Sequence, residues 1–307
     1  MELIRGLPNL HERHRGCVVT IGTYDGIHLG HQALLHRLNE HAARLTAPTV
    51  LLTFEPMPRE YLNPQAPPAR LTSWRERWRV LERMDLDYVL LLRFGGGLRN
   101  LSGEEFAQLL AKDLGARAVV VGHDFRFGCH GDATAPMLAG AGERLGFSVD
   151  VVPPVMLDGE RVSSSGVRDA LAHGKFELAE RRLGRPYKMR GRVVRGKQLG
   201  RDLGFPTANL RIERRRAPLA GIFAVRVHGV ASAPLPGVAS LGTRPTVAGV
   251  HTLLEAHLFD FSGDLYGREI EVEFVAKLRD EEYFPTLEAL VEQIHRDAAE
   301  ARRILDA

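Results

Sequence analysis

Two histidines three residues apart, His28 and His31, stand in the segment Thr20-Ile21-Gly22-Thr23-Tyr24-Asp25-Gly26-Ile27-His28-Leu29-Gly30-His31. An apolar run gives way there to a helical pattern. The glycines let backbone approach a ligand closely, and a helix opening at this point offers unpaired N–H groups and a positive dipole end to an anion. Residues three apart on an opening turn share a face, so both imidazoles can meet one phosphate. So placed, they would donate to charge developing on a phosphorus under in-line attack, an electrostatic role and not a covalent one. Two other uses of the pair stay open. One is zinc ligation, which needs a third ligand and favours a His-x-x-x-His pair or a cysteine cluster; the other is plain surface exposure.

A second stretch, residues 191–198, reads Gly-Arg-Val-Val-Arg-Gly-Lys-Gln and imitates a phosphate loop up to its last position. A Ser or Thr should hold magnesium there, whereas Gln198 stands in its place, and the stretch begins inside an expected strand. It is not read as a P-loop. More informative is the continuation Gly200-Arg201-Asp202-Leu203-Gly204-Phe205-Pro206-Thr207-Ala208-Asn209-Leu210.

The elements that must position these residues change character part-way along the chain. Up to about residue 184, Cys17–Ile21, Thr49–Phe54, Tyr88–Leu92, Ala118–Gly122 and Ser148–Val152 read as buried strands, and His31–Arg44, Ser73–Met84, Glu104–Leu114 and Ala133–Leu145 as helices. This alternation predicts a doubly wound α/β domain over residues 1–184, with ligands at the carboxyl ends of its parallel strands. From residue 185 the runs Arg190–Val194, Ile222–Val227, Val238–Leu241, Leu253–Leu258 and Ile270–Val275 are separated by Gly and Pro turns. They predict a small antiparallel barrel over 185–307, closed by an amphipathic helix Leu287–Leu305.

Composition narrows the function classes. The chain has 307 residues, 44% hydrophobic and 26% charged, which is ample for two cores. No run reaches the roughly 18 apolar residues of a membrane span, and the first ten residues do not read as a signal peptide. Two cysteines, Cys17 and Cys129, make neither a disulfide framework nor a zinc site, so a cytoplasmic setting is expected. Net charge is only +3, but residues 185–216 carry 11 basic and 2 acidic side chains, and residues 251–307 carry 6 basic and 14 acidic. Such a split suits phosphates on one side and a metal or hydroxyl on the other, or is two solvated faces of opposite sign.

The first segment resembles the Gly-x-Phe-Asp-Gly-x-His-x-Gly-His signature of the FAD synthetase module in bacterial bifunctional riboflavin kinase/FMN adenylyltransferases. Three further stretches match in order: Thr53-Phe54-Glu55-Pro56-Met57-Pro58-Arg59-Glu60, Gly122-His123-Asp124-Phe125-Arg126-Phe127-Gly128, and Arg161-Val162-Ser163-Ser164-Ser165-Gly166-Val167-Arg168. The resemblance implies that Gly22, Thr23, Asp25, Gly26, His28, His31, Arg161, Ser164, Ser165 and Arg168 bind ATP, with His28, His31 and Arg168 acting in catalysis. Ser164 and Ser165 would cap a helix and bind triphosphate oxygens, and Arg168 would neutralise departing pyrophosphate. Phe54, Pro56, Pro58, Asp124, Phe125 and Phe127 would meet the flavin; the Phe rings are read either as faces for an isoalloxazine or as core.

The run from Gly200 resembles the Gly-Arg-x-Leu-Gly-Phe-Pro-Thr-Ala-Asn signature of riboflavin kinase, a six-stranded barrel. By that resemblance Gly191, Gly196, Gly204, Thr207 and Asn209 lie at ATP, Thr207 and Asn209 hold Mg2+, Glu255 is the general base for the riboflavin 5′-hydroxyl, and Arg279 and Phe284 sit near the flavin. Thr23, Tyr24, Met57, Ser165 and Ser240 depart from the usual family residues. The expected function is phosphorylation of riboflavin to FMN and adenylylation of FMN to FAD, with ATP, riboflavin and FMN as substrates and neither nucleic acid nor membrane as partner. Two rivals are a nucleotidyltransferase relative lacking the barrel, and a nucleic-acid module using the basic Arg190–Arg216 stretch with steeply salt-dependent binding.

Overall fold

The computed structural model describes residues 1–196, 204–214, 216–246 and 249–306. The Lys197-Gln198 end of the phosphate-loop-like run and residues 200–203 of the second signature lie outside them. Two compact units form, one from residues 1–68 and 77–163, the other from 69–76 and 164–307.

The first unit is built on six strands: β1 (Glu2–Arg5), β2 (Val18–Ile21), β3 (Thr49–Glu55), β4 (Tyr88–Arg93), β5 (Ala118–Gly122) and, after a short hairpin of β6 (Arg126–Phe127) and β7 (Ala133–Thr134), β8 (Ser148–Val152). They pair in the order β1-β4-β3-β2-β5-β8, all parallel. Both faces are covered. Val19, Ile21, Val50, Leu52, Leu90 and Val119 share a core with Phe106 and Leu110 of the helix Gly103–Lys112 and Leu138 of the helix Ala135–Leu145. Their neighbours Val18, Thr20, Leu51 and Val89 are as deeply buried on the opposite face, where α1 (Leu29–Leu45) packs. Because β3 and β5 flank β2 on opposite sides, the order reverses there, and the loops leaving β2, β3 and β5 surround a switch-point crevice. A hairpin of β9 (Met156–Leu157) and β10 (Glu160–Arg161) ends the unit.

The second unit contains a closed antiparallel barrel of β11 (Lys188–Val194), β12 (Ala208–Arg211), β13 (Gly221–His228), β14 (Leu235–Thr246), β15 (Gly249–Leu258) and β16 (Glu269–Arg279), paired in the order β11-β12-β15-β14-β13-β16. The sixth strand, β12, is the one that hydrophobic patterning alone does not mark. Ala208, Leu210, Phe223, Val225, Ala239, Leu241, Leu254 and Ala256 fill the interior as a single cluster. Outside it, the C-terminal helix Leu287–Leu305 lays Ala301 against Ala224 and Phe259.

Helices Ser164–Ala172 and Phe176–Leu183 belong to this unit, although the strand–helix rhythm places the domain cut after Gly184. The reason is packing: Val167, Leu171, Ala179 and Leu183 join the barrel core, and the Phe176 ring lies 5.9 Å from Phe223 and 6.4 Å from Phe274. Residues 69–76 are hydrogen-bonded into the same unit. The Leu71 carbonyl accepts from the Tyr187 hydroxyl at 2.9 Å and from Arg214, and the Glu76 carboxylate accepts the Arg190 amide at 2.7 Å and pairs with buried Arg214.

On the barrel wall Glu273 holds Lys188 at 2.9 Å and His228 at 2.8 Å. Burial alone would raise this carboxyl, but hydrogen bonds from Lys188 and His228 outweigh it and leave it below the ordinary glutamate value of 4.5. A carboxylate depressed in the folded state stabilises fully above its unfolded value and loses that contribution as pH falls through the folded one. Urea midpoints of the parent and Glu273→Gln should therefore differ near neutrality and converge as the medium is acidified below the glutamate range.

Candidate active sites

In the first unit, β2 ends at Ile21 and α1 begins at Leu29, with His28 as the N-cap. The intervening turn is strained: Tyr24, Gly26 and Ile27 all adopt left-handed backbone, with φ of 50°, 86° and 44°. For a β-branched residue such as Ile27 that conformation costs about 1–2 kcal/mol, which burial of its side chain and that of Tyr24 offsets. The Tyr24 ring is wholly enclosed, and its hydroxyl hydrogen-bonds Thr20 Oγ1 at 2.5 Å. Desolvation pushes that phenol far above its ordinary range, so Tyr24 is a packing residue that stays protonated.

The turn delivers both imidazoles together. Their rings stack at 3.7 Å and 18°, and Tyr24 packs 4.9 Å from His31. His28 Nδ1 accepts from the His31 amide at 3.4 Å, so the proton of a neutral ring would sit on Nε2. A Cβ on Gly30 would stand 3.2 Å from the His28 ring, so the absence of a side chain there gives the imidazole its place. Gly22, Thr23 and Gly26 share this turn with Asp25, whose side chain is buried. Such a helix opening, with a donor imidazole beside the first free amides, is suited to an anion and not to a zinc ion. Among the described residues no group of three His, Cys, Asp or Glu could hold a metal.

The other candidates of this unit fall on neighbouring loops. Asp124 and Arg161 form an ion pair at 2.8 Å, so the loop after β5 and the β9–β10 hairpin are tied together. Pro56 and Pro58 are half-buried at the end of β3. Phe54 and Phe127 belong to the sheet core, Phe54 edge-on to Phe94 at 5.9 Å. Phe125 and Phe127 stack on each other at 5.4 Å and 14°. Of the two readings of these rings, Phe54 and Phe127 lie in the sheet core, and Phe125 keeps a half-exposed face. Burial also pushes the Cys17 thiol up to about 12, which removes it as a nucleophile.

Ser164, Ser165 and Arg168 fall in the second unit, at the start and in the middle of the helix Ser164–Ala172. Arg168 Nε donates to the Ala69 carbonyl at 2.5 Å, a contact the motif does not anticipate.

The barrel candidates occupy one row. Asn209 of β12 is the register partner of Glu255 of β15, and Glu255 is the partner of Ser240 of β14. Partners across an antiparallel pair project from the same face. Ala208, Leu210, Leu254, Ala256, Ala239 and Leu241 point inward, so Asn209, Glu255 and Ser240 face outward. Asn209 is nonetheless buried, because Gly196 lies against it: a Cβ there would sit 2.5 Å from its carboxamide. Gly191 is equally tight, its Cβ position 2.8 Å from the Arg211 carbonyl. Gly204 and Thr207 are exposed, and Thr207 precedes β12 by one residue, so it alternates onto the side of Asn209. The loop carrying them is pinned: His257 Nδ1 meets the Pro206 carbonyl at 2.9 Å, and Phe205 packs 5.3 Å from His257 and 4.8 Å from His295.

Arg279, at the end of β16, is held by a bidentate pair with Asp297 of the C-terminal helix, Nη2 to Oδ2 at 2.8 Å, and lies 5.4 Å over the Phe284 ring. Asp297, His257 and His295 were not sequence candidates. A helical Asp whose neighbours one turn away include Gln293 and Ala301 is the only trace, and it looks like any polar helix position.

Gly196→Ala is expected to displace the Asn209 carboxamide, since the added Cβ would stand 2.5 Å from it.

Two family models divide the chain: FAD synthetase matches residues 10–166 and riboflavin kinase matches residues 183–305. A bifunctional riboflavin kinase/FMN adenylyltransferase of Pseudomonas fluorescens is 48% identical over 308 residues, covering 99% of this chain and 98% of the relative. The chain belongs to the bifunctional riboflavin kinase/FMN adenylyltransferase family. The relative of the same name from Escherichia coli K12 is 45% identical, covering 98% of this chain and 97% of its own. A crystal structure described as a macrolide-efflux protein from Streptococcus pneumoniae shares the fold with a TM-score of 0.82 at 31% identity, covering 98% of each chain. Among the described residues no helix is long and apolar enough to cross a membrane. A bifunctional riboflavin kinase/FMN adenylyltransferase phosphorylates riboflavin with ATP to give FMN, and adenylylates FMN to give FAD and pyrophosphate; this chain carries both activities.

Proposed function

We propose that residues 1–184 perform the adenylyl transfer and residues 185–307 the phosphorylation, each at a triphosphate site built from the residues described above. The stacked His28–His31 pair at the opening of α1 carries the first assignment. An FMN phosphate oxygen attacks the α-phosphorus of ATP while the bond to the β,γ-pyrophosphate breaks. His28 Nε2 and the first amides of α1 donate to the non-bridging oxygens as charge builds on them. Gly22, Thr23, Asp25 and Gly26 shape the turn around the nucleotide, and Arg161 adds a cation. The flavin contacts would come from Pro56, Pro58, Asp124 and the free face of Phe125.

The outward row on the barrel carries the second assignment. Glu255 accepts the proton of the riboflavin 5′-hydroxyl as its oxygen attacks the γ-phosphorus and ADP leaves. Arg279 and Phe284 would border the flavin. Thr207 and Asn209 offer neutral side-chain oxygens, a hard donor set with few protein ligands, which fits Mg2+ that keeps its remaining positions for phosphates. The ion would neutralise phosphate charge; Gly196 and the pinned Pro206 carbonyl hold its two donors in place. We place both reactions in the cytoplasm, with ATP, riboflavin and FMN as substrates.

The deciding experiment incubates the protein with riboflavin, ATP and magnesium and resolves riboflavin, FMN and FAD over time. FMN should rise first and FAD follow; omission of magnesium should abolish both steps. Variants that each remove one step in the module opposite to the one assigned would overturn the reading.

A further inference from the structure

Arg77 heads the fully buried side chains when they are ranked by volume, with 0% of its surface exposed. It belongs to none of the motifs that define the adenylyl-transfer site. Its Nη1 donates to the Thr23 carbonyl at 2.7 Å, and its Nη2 pairs with the Glu55 carboxylate at 2.9 Å. Thr23 lies in the turn that presents His28, two residues past the end of β2. Glu55 is the last residue of β3 and precedes Pro56. One guanidinium therefore joins the loops leaving two neighbouring parallel strands.

Stability alone is a poor reason for such a residue. Taking an arginine and a carboxylate from water costs several kcal/mol, and replacing both partners of a buried pair by well-packed apolar side chains of similar volume is often neutral or stabilising. What an apolar side chain cannot do is fix two acceptors at once in a plane, and a lysine, with a compact charge, does so less well. The Thr23 carbonyl is also the backbone group that enters the left-handed turn from Tyr24 to Ile27, so a shift there is passed to the His28 ring.

We propose that Arg77 is a positioning residue for adenylyl transfer: it sets the His28-bearing turn against the loop after β3 without itself touching substrate. The inference rests on the assignment of His28 to that reaction.

The test compares full-length Arg77→Met and Arg77→Lys with the parent and with His28→Ala, measuring kcat and KM for FAD formation, the rate of riboflavin phosphorylation and the melting temperature. A misplacement of the order of 1 Å costs about 10²-fold in rate, so kcat for FAD should fall by about that factor in Arg77→Met. The KM for ATP should stay within about threefold and riboflavin phosphorylation should hold, while the melting temperature should drop, because Arg77→Met removes one partner of a buried pair and leaves the other. Arg77→Lys, retaining a charge for one partner, should fall between. A purely structural role predicts the opposite, that any variant which folds keeps its kcat. A folded Arg77→Met, or Arg77→Lys if the Met variant does not fold, with parental kcat overturns the proposal. If His28→Ala also made FAD normally, the site assignment would be what failed.

Discussion

His28→Ala should make FMN from riboflavin at the parent rate and stop there, with FAD formation reduced by about 10²–10³-fold, the usual loss for one donor to a developing anion in a preorganised site. On the role proposed for His28, the deficit falls on kcat more than on ATP binding. The amides at the start of α1 remain to hold the triphosphate, whereas the Nε2 proton that tightens on the transition state is gone. The stacked partner sharpens the expectation. His31 packs on the His28 ring at 3.7 Å, so a His31→Ala variant loses both its own contact and the wall that orients its neighbour. The double variant should then be scarcely worse than the worse of the two singles, as for residues that act as a unit. A chromatogram in which His28→Ala accumulated no FMN, or accumulated FAD, would remove the histidine pair from this reaction.

The converse loss is expected from the barrel row. Glu255→Gln keeps the shape of the side chain and removes the proton acceptor, so riboflavin phosphorylation should fall by about 10²–10⁴-fold, while supplied FMN still becomes FAD. Asn209→Ala should block the same step by another route, and the two can be told apart. Because Asn209 is a proposed metal ligand, raising magnesium should recover part of the rate in Asn209→Ala and none in Glu255→Gln. Both residues face the barrel exterior beside Ser240, so neither substitution opens a void in the apolar interior. Melting temperatures near the parent's are expected, and a large drop in either would mean that the loss of activity reports unfolding.

The central parallel strands β2 to β5 are legible in the sequence because both faces are buried, so each reads as a largely apolar run, whereas β8 is partly exposed and carries Asp150. β1 is not legible, since Glu2-Leu3-Ile4-Arg5 is a four-residue edge strand whose charged ends look like any terminus. The histidine turn and the barrel signature are also legible, as glycines and hydrogen-bonding side chains cluster at element boundaries. The second unit's claim on residues 69–76 and 164–183 is hidden. Their contribution lies in a few contacts to the barrel, Leu71 and Phe176 among them, which no local periodicity announces. Arg77 escapes for a related reason. Four residues before buried Leu81 it shares that residue's helix face, where polarity alone would turn it to solvent. Aromatic residues near a motif are equally ambiguous, and here Phe54 and Phe127 turned out to serve the sheet.

Since the barrel is solid, filled by its own inward side chains, and the proposed reactive row lies on the outer wall, folding and the proposed chemistry draw on opposite sides of the same strands. A change at Glu255 or Ser240 leaves the packing at Leu254 and Leu241 untouched, although each pair is adjacent in the chain. Such a wall can acquire new substrate preferences one outward residue at a time without risking collapse of the drum, a separation that a pocket dug into the core does not offer.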